Sequence, residues 1–231
     1  MISRQRNSLA RRAIAPMENA ARTFRLGVLG SGQGSNFVAL AEAIAAGAVP
    51  AEVAVVLSDV EEAGILGHAR ARGIPAVFVA PGPLRTRLGE AAERTAVAAL
   101  QGAGVDLVVL AGFMRVLKAE FLGAFAGRVV NIHPSLLPAF PGLAAWRQAL
   151  TYGAKVTGCT VHFVDAGVDS GPIIGQRAVP VLAGDTAETL HQRIQVAEHA
   201  LYPACVAALA RGEVTVRGRV VSVARGLSVG E

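Results

Sequence analysis

Val129-Val130-Asn131-Ile132-His133-Pro134-Ser135-Leu136-Leu137-Pro138 changes character halfway along its length. Val129, Val130 and Ile132 are β-branched and apolar, which favours a buried strand. Pro134 and Pro138 then remove backbone donors and restrict the residues before them, so neither strand nor helix continues. Asn131 and His133 stand two apart, and on an extended backbone both side chains leave by the same face. An amide and an imidazole therefore point together from a strand end into a proline-stiffened loop. Ligands of open α/β sheets bind at the carboxyl ends of strands. Two polar groups placed there cost stability unless they are paired or used. The pattern predicts chemistry at this point.

Upstream of this stretch, strands are expected over 24–30, 52–58, 74–79 and 106–111, with the strand just described spanning 128–133. Helices are expected over 37–46, 61–72 and 84–101. Such alternation predicts an α/β fold with a mostly parallel, doubly wound sheet. Downstream the texture changes. A helix over 143–152 precedes two strands, 156–164 and 172–180, joined by a glycine-rich loop. This hairpin-like pair reads as an antiparallel strand addition in the C-terminal half. A long helix over 186–210, with Asp185 or Thr186 as N-cap, is followed by a strand pair over 214–223 broken at Gly218. Residues 24–231 read as one domain. Residues 1–23 read as an N-terminal extension expected to be disordered. It is either an Arg-rich targeting segment or a frayed stretch ahead of Met17.

Composition sets bounds. The 231 residues are 52% hydrophobic, which excludes a largely disordered chain. No apolar run reaches the roughly 18 residues that a membrane span requires, so no membrane partner is expected. Cys159 and Cys205 lie far apart without metal-ligand spacing, so neither a disulfide framework nor a metal site is expected, and the cytoplasm is the expected location. The net charge of +5 leans toward anionic ligands. Much of the excess (Arg4, Arg6, Arg11, Arg12, Arg22 and Arg25) sits near the N-terminus, so no nucleic-acid partner is inferred.

Gly30-Ser31-Gly32-Gln33-Gly34-Ser35-Asn36 follows a strand and opens a helix. Small residues let the backbone approach a ligand, and the helix start offers free amides to a phosphate. Ser35 replaces the third glycine of the dinucleotide fingerprint, which favours a monophosphate or other anion, although Asp59 could mimic a ribose-binding acid. Leu110-Ala111-Gly112-Phe113-Met114-Arg115 ends the fourth strand. In isolation, Phe113 and Met114 read as core and Arg115 as a solvated charge. Asp169 precedes Gly171-Pro172, which re-aims the chain, and so suits function better than Asp165, a turn former. His68, His162, His191 and His199 lack metal-ligand spacing and read as surface or satisfied core histidines.

Gly32-Gln33-Gly34-Ser35-Asn36, Ala111-Gly112-Phe113-Met114-Arg115, Asn131 to Pro138 with Pro141-Gly142-Leu143, and Val168-Asp169-Ser170-Gly171-Pro172 occur in order. Together they resemble the phosphoribosylglycinamide formyltransferases, folate-dependent enzymes of purine biosynthesis, over roughly residues 24 to 210. The resemblance implies a Rossmann-like sheet and two small-molecule substrates, glycinamide ribonucleotide and the co-substrate 10-formyltetrahydrofolate. It implies catalytic roles for Asn131, His133 and Asp169. Asn131 and a protonated His133 would donate to the tetrahedral oxyanion, while Asp169 orients His133 and assists proton transfer. The ribonucleotide would meet Gly32, Gln33, Gly34, Ser35 and Asn36, together with Glu198. For its phosphate, an arginine from the helix after the third strand is implied, Arg87 by preference with Arg85 as the alternative. The folate would lie along Phe113, Met114, Arg115, Val116 and Leu117, with Val164 and Asp165. Ala144 and Trp146 depart from the polar or histidine residues frequent there. Family habit implies a homodimer. Methionyl-tRNA formyltransferase and formyltetrahydrofolate hydrolase are the nearest rivals, and both are expected to carry further domains.

Overall fold

The computed structural model describes residues 22–227. The expected extension therefore lies outside the described residues except for Arg22 and Thr23, and Arg22 is tied by an ion pair to Asp106. In chain order the elements are β1 (Phe24–Leu29), α1 (Ser35–Ala45), β2 (Ala51–Ser58), α2 (Gly64–Arg70), β3 (Ala76–Phe78), α3 (Glu90–Gly102), β4 (Leu107–Leu110) and α4 (Ala119–Ala124). They continue with β5 (Val129–His133), α5 (Ala145–Tyr152), β6 (Val156–Phe163), β7 (Ile173–Pro180), α6 (Ala187–Ala210), β8 (Val214–Arg217) and β9 (Val220–Val223).

Seven strands form one sheet in the order β3-β2-β1-β4-β5-β6-β7, and β8 and β9 pair separately. Strands β1 to β5 run parallel, while β6 and β7 are antiparallel, as the change of texture after the proline loop predicts. Apolar side chains cover both faces in two clusters, one holding Leu26, Phe37 and Tyr202 and the other Leu29, Phe121 and Val129. This two-sided burial explains the nearly unbroken apolar runs of β2 and β4. Chain order reverses between β1 and β4, so the loops after these two strands part and leave a crevice at their carboxyl ends.

Helices α2, α3 and α4 differ most from expectation. The helix expected over 84–101 begins only at Glu90, because the carbonyls of Leu84 and Arg85 accept from the Arg115 guanidinium and the Thr86 carbonyl accepts from the Val116 amide. Helix α2 starts at Gly64 rather than near Glu61. Helix α4 has no counterpart in the expectation; at six residues it is too short to show a period, and the buried Glu93 accepts from the Lys118 amide at its start. Helix α6 is capped by Thr186, with Thr189 closing a reciprocal capping box.

Candidate active site

Asn131 and His133 leave β5 on one face, and the antiparallel register sets Asn131 opposite His162 of β6. Directly opposed side chains share a face, so a histidine that reads as core from sequence alone is delivered to the site. The signal lay in pairing, which one sequence does not display. The Asn131 Nδ2 lies 3.3 Å from His162 Nε2, while His162 Nδ1 lies 2.8 Å from the Phe163 carbonyl. One tautomer fits both contacts, with the proton on Nδ1 and Nε2 accepting from the amide. Burial holds His162 below the usual imidazole range, in favour of that neutral form, although Asp169 opposes the shift. The second hydrogen of the Asn131 amide remains for a ligand.

His133 is buried. Its Nε2 lies 2.9 Å from the Phe140 carbonyl and its Nδ1 lies 3.3 Å from Asp169 Oδ2. Both neighbours are acceptors, so only the doubly protonated ring donates to each. Asp169 also accepts from the Gly142 amide at 2.8 Å, and its backbone adopts the left-handed region at φ 50°. Its loop is pinned from below, because a Cβ at Gly171 would stand 1.8 Å from the Phe163 carbonyl oxygen. Only glycine passes there. The three expected catalytic side chains thus converge.

They open onto a cavity of about 560 Å³ whose other walls are the glycine turn, the 111–117 segment and one stripe of α6. Gly34 caps α1 with φ 84°, and among the described residues no side chain caps that helix and, beyond its chain neighbours, no atom lies within 4 Å of where a Gly32 Cβ would be. First-turn amides and an open backbone face are left for a ligand. Asn36 donates to Glu198 Oε2 at 2.8 Å, and the buried Asn36 Oδ1 has no partner among the described residues. Burial pushes the Glu198 carboxyl up to about 7, against the Asn36 hydrogen bond that favours its charge.

Phe113, Met114, Arg115, Val116, Leu117, Val164 and Asp165 all line the cavity. Met114 is exposed rather than core. Arg115 is not the solvated charge that its sequence setting suggests, since it pairs with buried Asp59 at 2.5 Å. That pairing also removes Asp59 as a ribose-binding acid. Arg87, expected on a helix, stands in the loop before α3 with an exposed side chain, and its neighbour Thr86 lines the cavity. Trp146 and His191, unassigned from sequence, stack at 3.8 Å between ring centroids on the wall formed by α5 and α6. Among the described residues, no cluster of three or more His, Cys, Asp or Glu side chains is placed to hold a metal ion. No helix among them is long and apolar enough to cross a membrane.

The Rossmann-like sheet thus sets Asn131, His133 and Asp169 in one cavity with the glycine turn. The family model described as Formyl transferase matches residues 24–206, and the chain belongs to that family. Its relatives narrow the branch. The phosphoribosylglycinamide formyltransferase of Mycobacterium tuberculosis is 48% identical over 211 residues, covering 89% of this chain and 94% of its own. The crystal structure of glycinamide ribonucleotide transformylase 1 from Symbiobacterium toebii is similar at a TM-score of 0.83 and 50% identity, over 87% of this chain and 94% of that one. A formyltetrahydrofolate deformylase from Pseudomonas syringae has a TM-score of 0.82 at 26% identity, over 88% of this chain and 66% of its own.

Proposed function

We propose that the chain transfers the formyl group of 10-formyltetrahydrofolate to the amino group of glycinamide ribonucleotide, with Asn131, His133 and Asp169 at the reacting carbon. The observation that carries this reading is the meeting of those three side chains in one cavity with the glycine turn. The ribonucleotide phosphate sits on the amides of residues 32–36. Its ribose hydroxyls donate to Glu198 and to Asn36 Oδ1, which has no partner among the described residues. Thr86 lines the cavity from the loop before α3, and Arg87 beside it turns its exposed side chain inward to reach the phosphate. The folate lies along residues 113–117 and meets Val164 and Asp165.

The amine attacks the formyl carbon and forms a tetrahedral oxyanion. The free hydrogen of the Asn131 amide is donated to that oxygen. His133 acts through its positive charge, since a direct hydrogen bond from Nε2 requires release of the Phe140 carbonyl. Asp169 holds that charge and carries the proton from the attacking amine to N10 of the folate as the carbon–nitrogen bond breaks. Holding both reactants in one crevice removes much of the entropic barrier. The two cysteines are buried free thiols, which suits the reducing cytoplasm as the site of the reaction.

The test follows folate-product absorbance with glycinamide ribonucleotide supplied or withheld. Product only when the ribonucleotide is present is the expected result. Equal rates with and without it would make the protein a deformylase like the Pseudomonas relative, and binding of NAD(H) in place of folate would make it a dinucleotide protein.

A further inference from the structure

A buried network that the catalytic steps do not use ties the two reactant subsites together. The side chains of Asp59, just after β2, and Arg115, after β4, are only 4% and 15% exposed. Arg115 Nε donates to Asp59 Oδ2 at 2.5 Å, and Asp59 Oδ1 accepts from Ser31 Oγ at 2.5 Å. Ser31 Oγ in turn accepts from the Met114 amide at 2.9 Å, while the Ser31 amide donates to the Gly112 carbonyl at 3.0 Å. On its other side the Arg115 guanidinium donates to the carbonyls of Leu84 and Arg85, and the Val116 amide donates to the Thr86 carbonyl at 2.9 Å. Loops from the carboxyl ends of β1, β2, β3 and β4 therefore meet on one carboxylate–guanidinium pair. Ser31 immediately precedes Gly32 of the phosphate turn, and Arg115 lies within the folate segment.

We propose that Asp59 and Arg115 are positioning residues that hold the phosphate turn and the folate segment in register, so that the two reactants are bound by one mechanically shared frame. The ligand names rest on the functional reading above; the frame itself does not. A carboxylate suits the hub because it accepts on both oxygens, one for the hydroxyl and one for the guanidinium. An arginine suits the partner because its fork reaches a carboxylate and two carbonyls together, which a lysine ammonium does not. Removing one member leaves the charge of the other buried without its counter-ion, and the loops must shift to solvate it.

The experiment uses the full chain with Asp59→Asn, Arg115→Lys, the double variant, and Asp106→Asn as a control. Asp106 also holds a buried-carboxylate ion pair, with Arg22, but at the opposite end of the strands. In Asp59→Asn the new amide turns a donor toward Arg115 or Ser31. We expect KM for both reactants to rise about tenfold, the scale of one charge-assisted hydrogen bond, while kcat changes much less. The double variant should match the more affected single one. Hydrogen exchange should quicken in residues 31–36 and 112–117 of the Asp59 variant and stay unchanged there in the Asp106 variant. Unchanged KM values in a merely less stable Asp59→Asn protein would overturn the proposal. So would a rise in folate KM confined to the Arg115 variants, which would mean that Arg115 acts by touching folate itself. Absence of formyl transfer in the unmodified chain would sink the functional reading, whereas the exchange measurement still decides the frame.

Discussion

Asp169 carries the most demands of any single residue. It accepts from Gly142, faces His133 and adopts a left-handed backbone that asparagine tolerates as well as aspartate. Asp169→Asn should therefore fold normally yet lose roughly 10² to 10⁴ in kcat, the scale of a proton-transfer group. Near-normal turnover would remove it from the mechanism. Asn131→Ala should lower kcat by about 10² to 10³ with little change in KM, and an effect on affinity alone would argue against oxyanion donation. Glu198 makes a pH prediction. Its folded carboxyl titrates near 7, above its ordinary value of 4.5, so burial costs nothing below 4.5, progressively more up to 7 and a constant amount beyond. Glu198→Gln should thus gain up to about 3 kcal/mol on the native chain between pH 4 and pH 8 in denaturant titrations, while binding the ribonucleotide less well. An unchanged gap across that range would show that the carboxyl does not titrate there. That Asn131 and His133 share a face was legible in the strand alternation, whereas the meeting of Asp169 with them was implied by the family resemblance and not by its own loop. His162, Trp146 and His191 were not legible, because each reaches the cavity through strand register or helix packing.

At the scale of elements, the alternating strands and helices were readable from apolar runs and glycine stops, and the shift to antiparallel pairing from the glycine-rich loop after β6. What escaped depended on side chains arriving from elsewhere. The loop before α3 stays extended because Arg115 takes its carbonyls, and no local pattern over 84–89 encodes an arginine 30 or 31 residues beyond those carbonyls. That same capture leaves Arg87 outside the cavity lining. Two checks belong here. Gly171→Ala must displace either the Phe163 carbonyl or the aspartate loop, so kcat should collapse well before the fold does, as seen by comparing activity with thermal melting. In the packing of α6, the buried Tyr202 hydroxyl lies 2.9 Å from the Leu110 carbonyl and 3.1 Å from that of Val130. Tyr202→Phe should lower stability by roughly 1–2 kcal/mol in denaturant titrations. No change would mean that α6 is held by apolar contact alone.

Over the whole molecule, the sheet separates two apolar clusters and collects its chemistry along a single rim. Both thiols lie within the larger cluster, and burial pushes Cys159 up to about 12 and Cys205 higher still. Neither should react with a thiol reagent until the protein unfolds, whereupon two equivalents should be consumed; rapid labelling of native protein would mean that this core opens readily. The only tryptophan of the chain is the one stacked on His191 at the cavity wall. The enzyme consequently contains its own optical probe. Emission from that indole is sensitive to whatever displaces the imidazole or excludes water beside it, so occupancy of the crevice can be followed by light without attaching a dye.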